Sequence, residues 1–361
     1  MRQALTKRQL LLIAVESPYG LDAAPQETDL YQQMRLLEPF RLTLGEDFEE
    51  LGGTGSARGF SEGRVTGWTA EVTFRALIGG VKGNSYTAAV KPHLSAPLRA
   101  CGCAERYGSA GNGSYTYSPT IDPSSDESAT IVAHQDGFDY RMVGCRGNAN
   151  LTFVAGAPPV AEFSFRGILT TEATTTRSAP VRRDPPNYGA RLYGAGLYGG
   201  NFFTVRPPRW VGSGSVHVGS VEAFRIDNLS FGTANEIFEQ RSALPTSGSG
   251  VVKYWVTGRA PGGSFDAALR KSGILYGSGV YGAGAYVGND QAILLSRWRT
   301  GSDSVLRVVA RERAGNSITL TTSRAVFKTL DGKDRGGAHV FGIGFQAYRR
   351  GEADQFSVVF D

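Results

Sequence analysis

Three cysteines and four histidines are the soft metal ligands of this chain, and their spacing does not assemble a site. Cys101 and Cys103 stand two apart, but a metal clip uses two such pairs and only Cys145 remains, so the thiols read as small buried or half-buried groups. His93, His134, His217 and His339 are dispersed, with no His-x-x-x-His pair. Asp122, Asp126 and Glu127 cluster with Pro123, Ser124 and Ser125, which is calcium-loop composition without the spacing or central glycine of an EF-type loop. That segment reads as a solvated loop. Neither a Gly-x-Ser-x-Gly elbow nor a Gly-Lys-Ser/Thr phosphate loop occurs. The sequence therefore predicts no catalytic residue, no metal and no cofactor.

Composition points instead to architecture. The chain has 361 residues, 48 of them glycine, with 41% hydrophobic and 20% charged residues. Those values suit a folded chain with room for two ordinary cores, and abundant Thr, Val, Phe and Tyr favour strands and turns. The formal charge of +5 is uneven: residues 1–180 carry 16 Lys+Arg against 19 Asp+Glu, and the remainder carries 22 against 14. The basic residues are scattered, which fits solvated surface better than a nucleic-acid stripe. An odd cysteine count argues against a disulfide framework and for a reducing compartment. The apolar run Leu10–Val15 stops at Glu16, too short for a signal peptide core or a membrane span.

Strand-like alternation begins at residues 9–16, and the polar stretch from Ser17 to Thr28 reads as an arm or loop. It resumes in Leu36–Leu44, where Phe40, Leu42 and Leu44 alternate with Arg41 and Thr43. Gly45–Gly63 reads as a glycine-rich excursion carrying Glu46, Asp47, Glu49, Glu50 and Arg58, and Arg64–Leu77 as the returning strand of a projecting hairpin. A short helix is expected with Ser95 as N-cap, Pro97 in its first turn and Gly108 as its stop. Further strands are expected at Ser114–Pro119, Ala129–His134, Phe138–Cys145, Ala149–Ala155 and Val160–Leu169. The Thr- and Pro-rich run Thr170–Pro186 marks a boundary. It divides the chain into a first module at 1–175, a linker at 176–186 and a second module at 187–361.

The two halves share an ordered series of segments. Phe40-Arg41-Leu42 followed by Phe48-Glu49-Glu50 has a counterpart in Phe224-Arg225-Ile226 followed by Phe238-Glu239-Gln240. A strand run ending at Gly79-Gly80 matches one ending at Gly262-Gly263. The second half is expected to repeat the first: a strand at Val221–Phe231, an excursion at Gly232–Gly250 and a return at Val251–Arg259. Then come a short helix capped by Ser264 or Asp266, and strands at Ala292–Arg299, Val305–Arg313, Ile318–Thr322 and Ala338–Tyr348. Two Gly/Tyr runs, residues 192–199 and 275–282, carry no basic residue and read as subunit-contact surface rather than a stacking platform for bases. An internal duplication points toward ring-like assembly.

One ordered series runs through Leu98-Arg99-Ala100-Cys101-Gly102 with Ala104-Glu105, then Tyr115-Thr116-Tyr117-Ser118-Pro119. It continues through Gly144-Cys145-Arg146-Gly147, Ala155-Gly156, Pro159 and Phe163-Ser164-Phe165-Arg166-Gly167. On these segments residues 10–172 resemble the tail tube proteins of phages with long non-contractile tails. In the second half Phe224-Arg225-Ile226, Glu236, Arg241 and Gly262-Gly263-Ser264-Phe265-Asp266 look like the C-terminal module of longer tube proteins. The resemblance implies a mainly β chain of two tandem β-sandwich or barrel modules, each with a flanking short helix. One sheet of each module would join its neighbours around a hollow tube through which double-stranded DNA leaves the virion without specific binding.

As expectations, the partners are other copies of the chain, in homotrimeric pseudo-hexameric rings stacked into a tube, and other phage tail proteins. The place is the virion tail, assembled in the host bacterial cytoplasm. Inter-ring or subunit contacts are expected from Glu46, Asp47, Glu49, Glu50, Arg58, Arg64, Glu236, Glu239 and Arg241. Lumen-facing candidates are Thr43, Thr69, Glu71, Thr73, Asp227 and Lys253. Alternation alone does not choose between this face and the opposite one. The competing functional classes are another ring-forming tail protein, distal tail or terminator, and a carbohydrate-binding β-sandwich protein.

Overall fold

Period-two alternation of apolar and polar residues shapes most of the chain, and it yields long antiparallel strands with one dry and one wet face. The structure is a computed structural model that describes residues 9–25, 32–34, 36–50, 63–79, 86–111, 113–135, 138–155, 157–171, 213–218, 221–241, 251–268, 273–274, 287–288, 290–313, 316–335, 338–349 and 355–361. The first half contains β1 (Gln9–Val15), β2 (Arg41–Glu50), β3 (Gly63–Leu77), α1 (Ser95–Ala100), β4 (Cys103–Gly108), β5 (Ser114–Pro119), a 3-10 turn (Pro123–Ser125), β6 (Ala129–Gln135), β7 (Phe138–Val154) and β8 (Val160–Thr171). The second contains β9 (Ser213–Val218), β10 (Val221–Gly232), β11 (Asn235–Arg241), β12 (Val251–Arg259), β13 (Gly262–Ala268), β14 (Gly273–Ile274), β15 (Val287–Gly288), α2 (Asp290–Thr300), β16 (Ser304–Arg313), β17 (Asn316–Arg335), β18 (Ala338–Ala347) and β19 (Phe356–Phe360).

Eight strands pair in one antiparallel run, β2-β3-β8-β7-β10-β13-β18-β17. Its first four strands come from the first half and its last four from the second. Each set has the same internal order: an outer strand, its neighbour, then a hairpin, β7–β8 or β17–β18, entered with the later strand innermost. The strands behind the run correspond too: β1 pairs β6, which pairs β7, and β9 pairs β16, which pairs β17. β6 and β16 even begin with the same irregularity, Ala129 opposite Cys145 and Ser304 opposite Ala325.

One face of the run is dry. Val72, Phe74, Phe163, Phe165, Leu151, Phe153, Leu229, Phe231, Phe265, Ile343 and Phe345 are buried on it. Phe74 stacks on Phe163 and Phe165 in the first half, and Phe265 and Phe231 pack on Phe345 in the second. Each such ring contributes roughly 1.5–3 kcal/mol by leaving water. In the first half α1, β1 and β6 cover this face, with Leu11, Ile13, Leu98 and Ile131 inside. In the second half β9 pairs β10 as well as β16, so β10, β13, β18, β17, β16 and β9 close into a ring of hydrogen-bonded strands.

Several expectations need correction. α1 ends at Ala100, with Gly102 in the left-handed region just beyond, so Gly108 does not stop it. Its N-cap is Leu94; the Ser95 hydroxyl instead donates to Glu105. The second-half helix is not capped by Ser264 or Asp266: residues 262–268 form β13, because Phe265 and Ala267 alternate into the core. The expected strand at Ala292–Arg299 is part of α2, whose Ala, Leu and Arg residues favour a helix, and Gly301 at φ +60° follows its end. Phe138–Val154 is one strand rather than two, and β17 runs far beyond Thr322. The Phe40 and Phe224 match is not the pairing correspondence either. Ser164 and its counterpart Gly344 lead through Thr73 and Ser264 to Arg41 and Ser230, which aligns Phe40 with Leu229. The linker at 176–186 and both Gly/Tyr runs lie outside the described residues.

Candidate assembly site

The wet face of the eight-strand run is the first candidate. Register places Thr43 opposite Glu71, Glu71 opposite Arg166, and Thr73 opposite Ser164 and Arg41. Asn148, Asn150 and Thr152 continue the row on β7, Ser230 on β10 and Ser264 and Asp266 on β13. Three of its cations lie beside carboxylates. Arg166 approaches Glu71 at 3.4 Å, Arg75 lies 3.5 Å from Glu38 and 3.9 Å from Glu162, and Lys333 lies 4.0 Å from Asp266. Ser164 also donates to Glu71, at 3.2 Å. Two charges at the extremes, Arg41 on β2 and Asp331 on β17, have no ion-pair partner among the described residues.

The second candidate is the joint between the halves. β10 adds to β7 with Ser230 opposite Thr152 and Gly232 opposite Asn150, and the Ser230 hydroxyl donates diagonally to Asn150 Oδ1 at 3.1 Å. β19 adds to β5 as a second seam. Beyond Gly232 the β10/β13 hairpin bends at Thr233 and Ala234 and continues as β11 and β12, which fold onto the first half. Val251 and Tyr254 pack there on Val143 and Ile168. Asn235 Nδ2 donates to the carbonyls of Cys101 and Gly147, both at 2.8 Å.

Charge locks this joint. Arg259 donates to Asp126 Oδ1 at 2.9 Å and to the Thr120 carbonyl at 3.0 Å, and Arg146 donates to the Asp126 carbonyl at 2.8 Å. Arg146, Lys253, Tyr19 and Trp255 form a cation–aromatic stack, with Lys253 Nζ 3.5 Å from the Trp255 ring centre and the Arg146 guanidinium 5.4 Å from that of Tyr19. Burial pulls Arg146 below the ordinary arginine range against the pull of Asp126, and burial likewise lowers Lys253, with Arg146 beside it. Tyr19 is held well above the ordinary phenol range by burial. Its hydroxyl donates to the Gly144 carbonyl at 3.2 Å and accepts from the Tyr254 N–H at 2.7 Å. Gly144 sits at φ +64°, and a β-carbon there would lie 2.6 Å from the Tyr19 hydroxyl, so the site needs glycine. Glu16 anchors the same corner, accepting from Gly20, Ser128, Thr130 and Gly144.

The expected contact residues are distributed differently from the sequence reading. Glu46, Asp47, Glu49 and Glu50 belong to β2 itself, and Glu49 lies opposite Arg64 of β3, so the excursion is shorter than Gly45–Gly63. Arg58 lies outside the described residues. Glu236, Glu239 and Arg241 sit on β11 rather than in a Gly232–Gly250 excursion, and Arg241 pairs with Glu239 at 2.7 Å. Of the lumen candidates, Thr43, Glu71 and Thr73 share the wet face. Thr69 stands at its border opposite Ile168, near the covering hairpin. Asp227 marks the irregularity in β10 between Ile226 and Asn228. Lys253 stands on β12, stacked at the joint, in a hairpin that leaves the pairing of the eight-strand run and packs over β7 and β8.

Sequence reading missed the roles of Asp126, Arg146, Asn235 and Asp331. Asp126 was read as part of a solvated acidic loop, whereas its side chain is 2% exposed beneath Arg146 and Arg259; Arg146 stood out within Gly144–Gly147 but not as its partner; and the polar alternation through residues 329–333 was masked by the many charges of that segment. No protein-family model matches the chain, and no curated protein does. Among the described residues no helix is long and apolar enough to cross a membrane.

Proposed function

We propose that this chain is the repeating subunit of a phage tail tube, two tube units in one polypeptide, forming rings that stack into the conduit for genome ejection. The observation that carries this reading is the eight-strand run. It consists of two four-strand sets of identical order, dry on one face and wet on the other, and among the described residues β2 at one end and the Val326–Arg335 part of β17 at the other have no strand on their outer edge. An open sheet of this size is an aggregation template unless closed, and closure by copies of itself removes the edges. Three chains would supply six such sets, well beyond the roughly 16–18 strands at which a barrel encloses an aqueous channel.

The wet face suits passage of DNA. Of its cations, Arg75, Arg166 and Lys333 are offset locally by carboxylates and Arg41 is not, so a polyanion gains little from counterion release over most of this surface.

Electron microscopy of the purified protein tests the proposal. Long hollow tubes with threefold rings are expected. Single rings that never stack would favour a terminator or distal tail protein, and compact monomers at every concentration would favour a carbohydrate-binding β-sandwich.

A further inference from the structure

Inside the chain, β7 and β17 run the same course until their far edges. Each pairs along its first part with β6 or β16 and along its other side with β8 or β18. Past β6, the edge of β7 is filled by β10. Past β16, the corresponding edge of β17, from Val326 to Arg335, has no strand among the described residues. At the opposite end of the run, β2 pairs only β3 among the described residues, and β2 is the counterpart of β10.

We infer that the free edge of β2 adds to the free edge of β17 in a second copy of the chain, in the register of the internal β10–β7 joint. Three observations converge. First, direction: neighbours in the eight-strand run alternate, the number of strands is even, and so β2 of one copy meets β17 of the next antiparallel, as β10 meets β7. Second, register: Arg41 and Thr43 correspond to Ser230 and Gly232, while Asp331 and Lys333 correspond to Asn150 and Thr152 through their partners Gly342 and Val340 against Glu162 and Val160. The internal pairs Ser230–Thr152 and Gly232–Asn150 then become Arg41–Lys333 and Thr43–Asp331 between copies. Third, charge: the diagonal of that register brings Arg41 of one copy to Asp331 of the next, in the place of the internal Ser230–Asn150 hydrogen bond. Long side chains reach across such a diagonal. Lys333, directly opposite Arg41, is already beside Asp266. The contact is head-to-tail, so it propagates until rotation closes a ring.

This inference deepens the assembly reading and rests on it, and the test separates the two. Thr43→Cys with Asp331→Cys alters two exposed positions, and the native Cys101, Cys103 and Cys145 are buried. Mild oxidation of assembled protein should give covalent multimers from the double variant and none from either single variant. A slipped pair, Thr43→Cys with Thr329→Cys, should link poorly. In a second arm, Asp331→Arg, which sets a like charge on the diagonal from Arg41, should raise the concentration needed for assembly about fivefold, and adding Arg41→Asp should restore it. Circular dichroism checks that each variant is folded. Rings or tubes without the 43–331 link, or with the slipped link instead, overturn the register while leaving tube formation intact. A wild-type chain that never associates overturns both.

Discussion

β7 and β17 are the longest strands of the molecule, and the contrast between them is instructive. The far edge of β7 is occupied and its surroundings are built for occupancy. Asn235 satisfies two carbonyls, Arg259 and Arg146 converge on Asp126, and the β11–β12 hairpin closes over Val143 and Ile168. Among the described residues the far edge of β17 carries no strand and no covering hairpin; α2 reaches it at Lys328, whose carbonyl accepts from Trp298 Nε1 at 3.2 Å. Among those residues one strand arrangement thus occurs in a finished and an unfinished form. The same contrast separates β10, bound on both sides, from β2, bound on one among the described residues.

The contrast can be broken most strongly at the finished joint. Phe231 is fully buried on β10, against Phe345 and Phe356, and Phe231→Ala should cost about 3–5 kcal/mol in denaturant unfolding. Its counterpart Leu42, half-buried on the open strand, should lose less than half as much when truncated in the unassembled chain. An equal loss at both would show that β2 is already as well packed as β10. Next in size is Asp126→Ala, which leaves Arg146 and Arg259 without their shared carboxylate and should cost roughly 3 kcal/mol. Arg146→Met should cost less, since Asp126 keeps Arg259; the reverse order would refute the assignment of Asp126 as the centre of the joint. Smallest is Arg166→Ala on the wet face, whose exposed pair with Glu71 should contribute under about 1 kcal/mol. A larger loss would mean that this face is organised for more than solubility.

Strand periodicity made much of this architecture legible. Val160–Leu169 and Ala338–Tyr348 alternate so clearly that their dry faces follow from residue type alone. The helix of the second half was misplaced because Ser264 and Asp266 look like caps, while the deciding fact, Phe265 and Ala267 facing β10 and β18, is tertiary. Likewise β19 is a short alternating segment whose partners, β17 and β5, lie far away in sequence. The wet-face threonines were legible from alternation. The joint was not, because Tyr19, Asp126, Arg146 and Arg259 come from four separate segments, and nothing in their local spacing announces that they meet.

The three buried thiols carry a consequence for handling and for chemistry. Burial pushes Cys103 up to about 12, and Cys101 and Cys145 are raised well above the ordinary thiol range by the same cause. Only the thiolate reacts with oxidants and alkylating agents, so burial both shields these sulfurs and keeps them in the unreactive protonated form near neutral pH. The folded chain should therefore keep its sulfurs reduced in air without added reductant, and a maleimide dye offered to it should label only a cysteine placed deliberately on its surface.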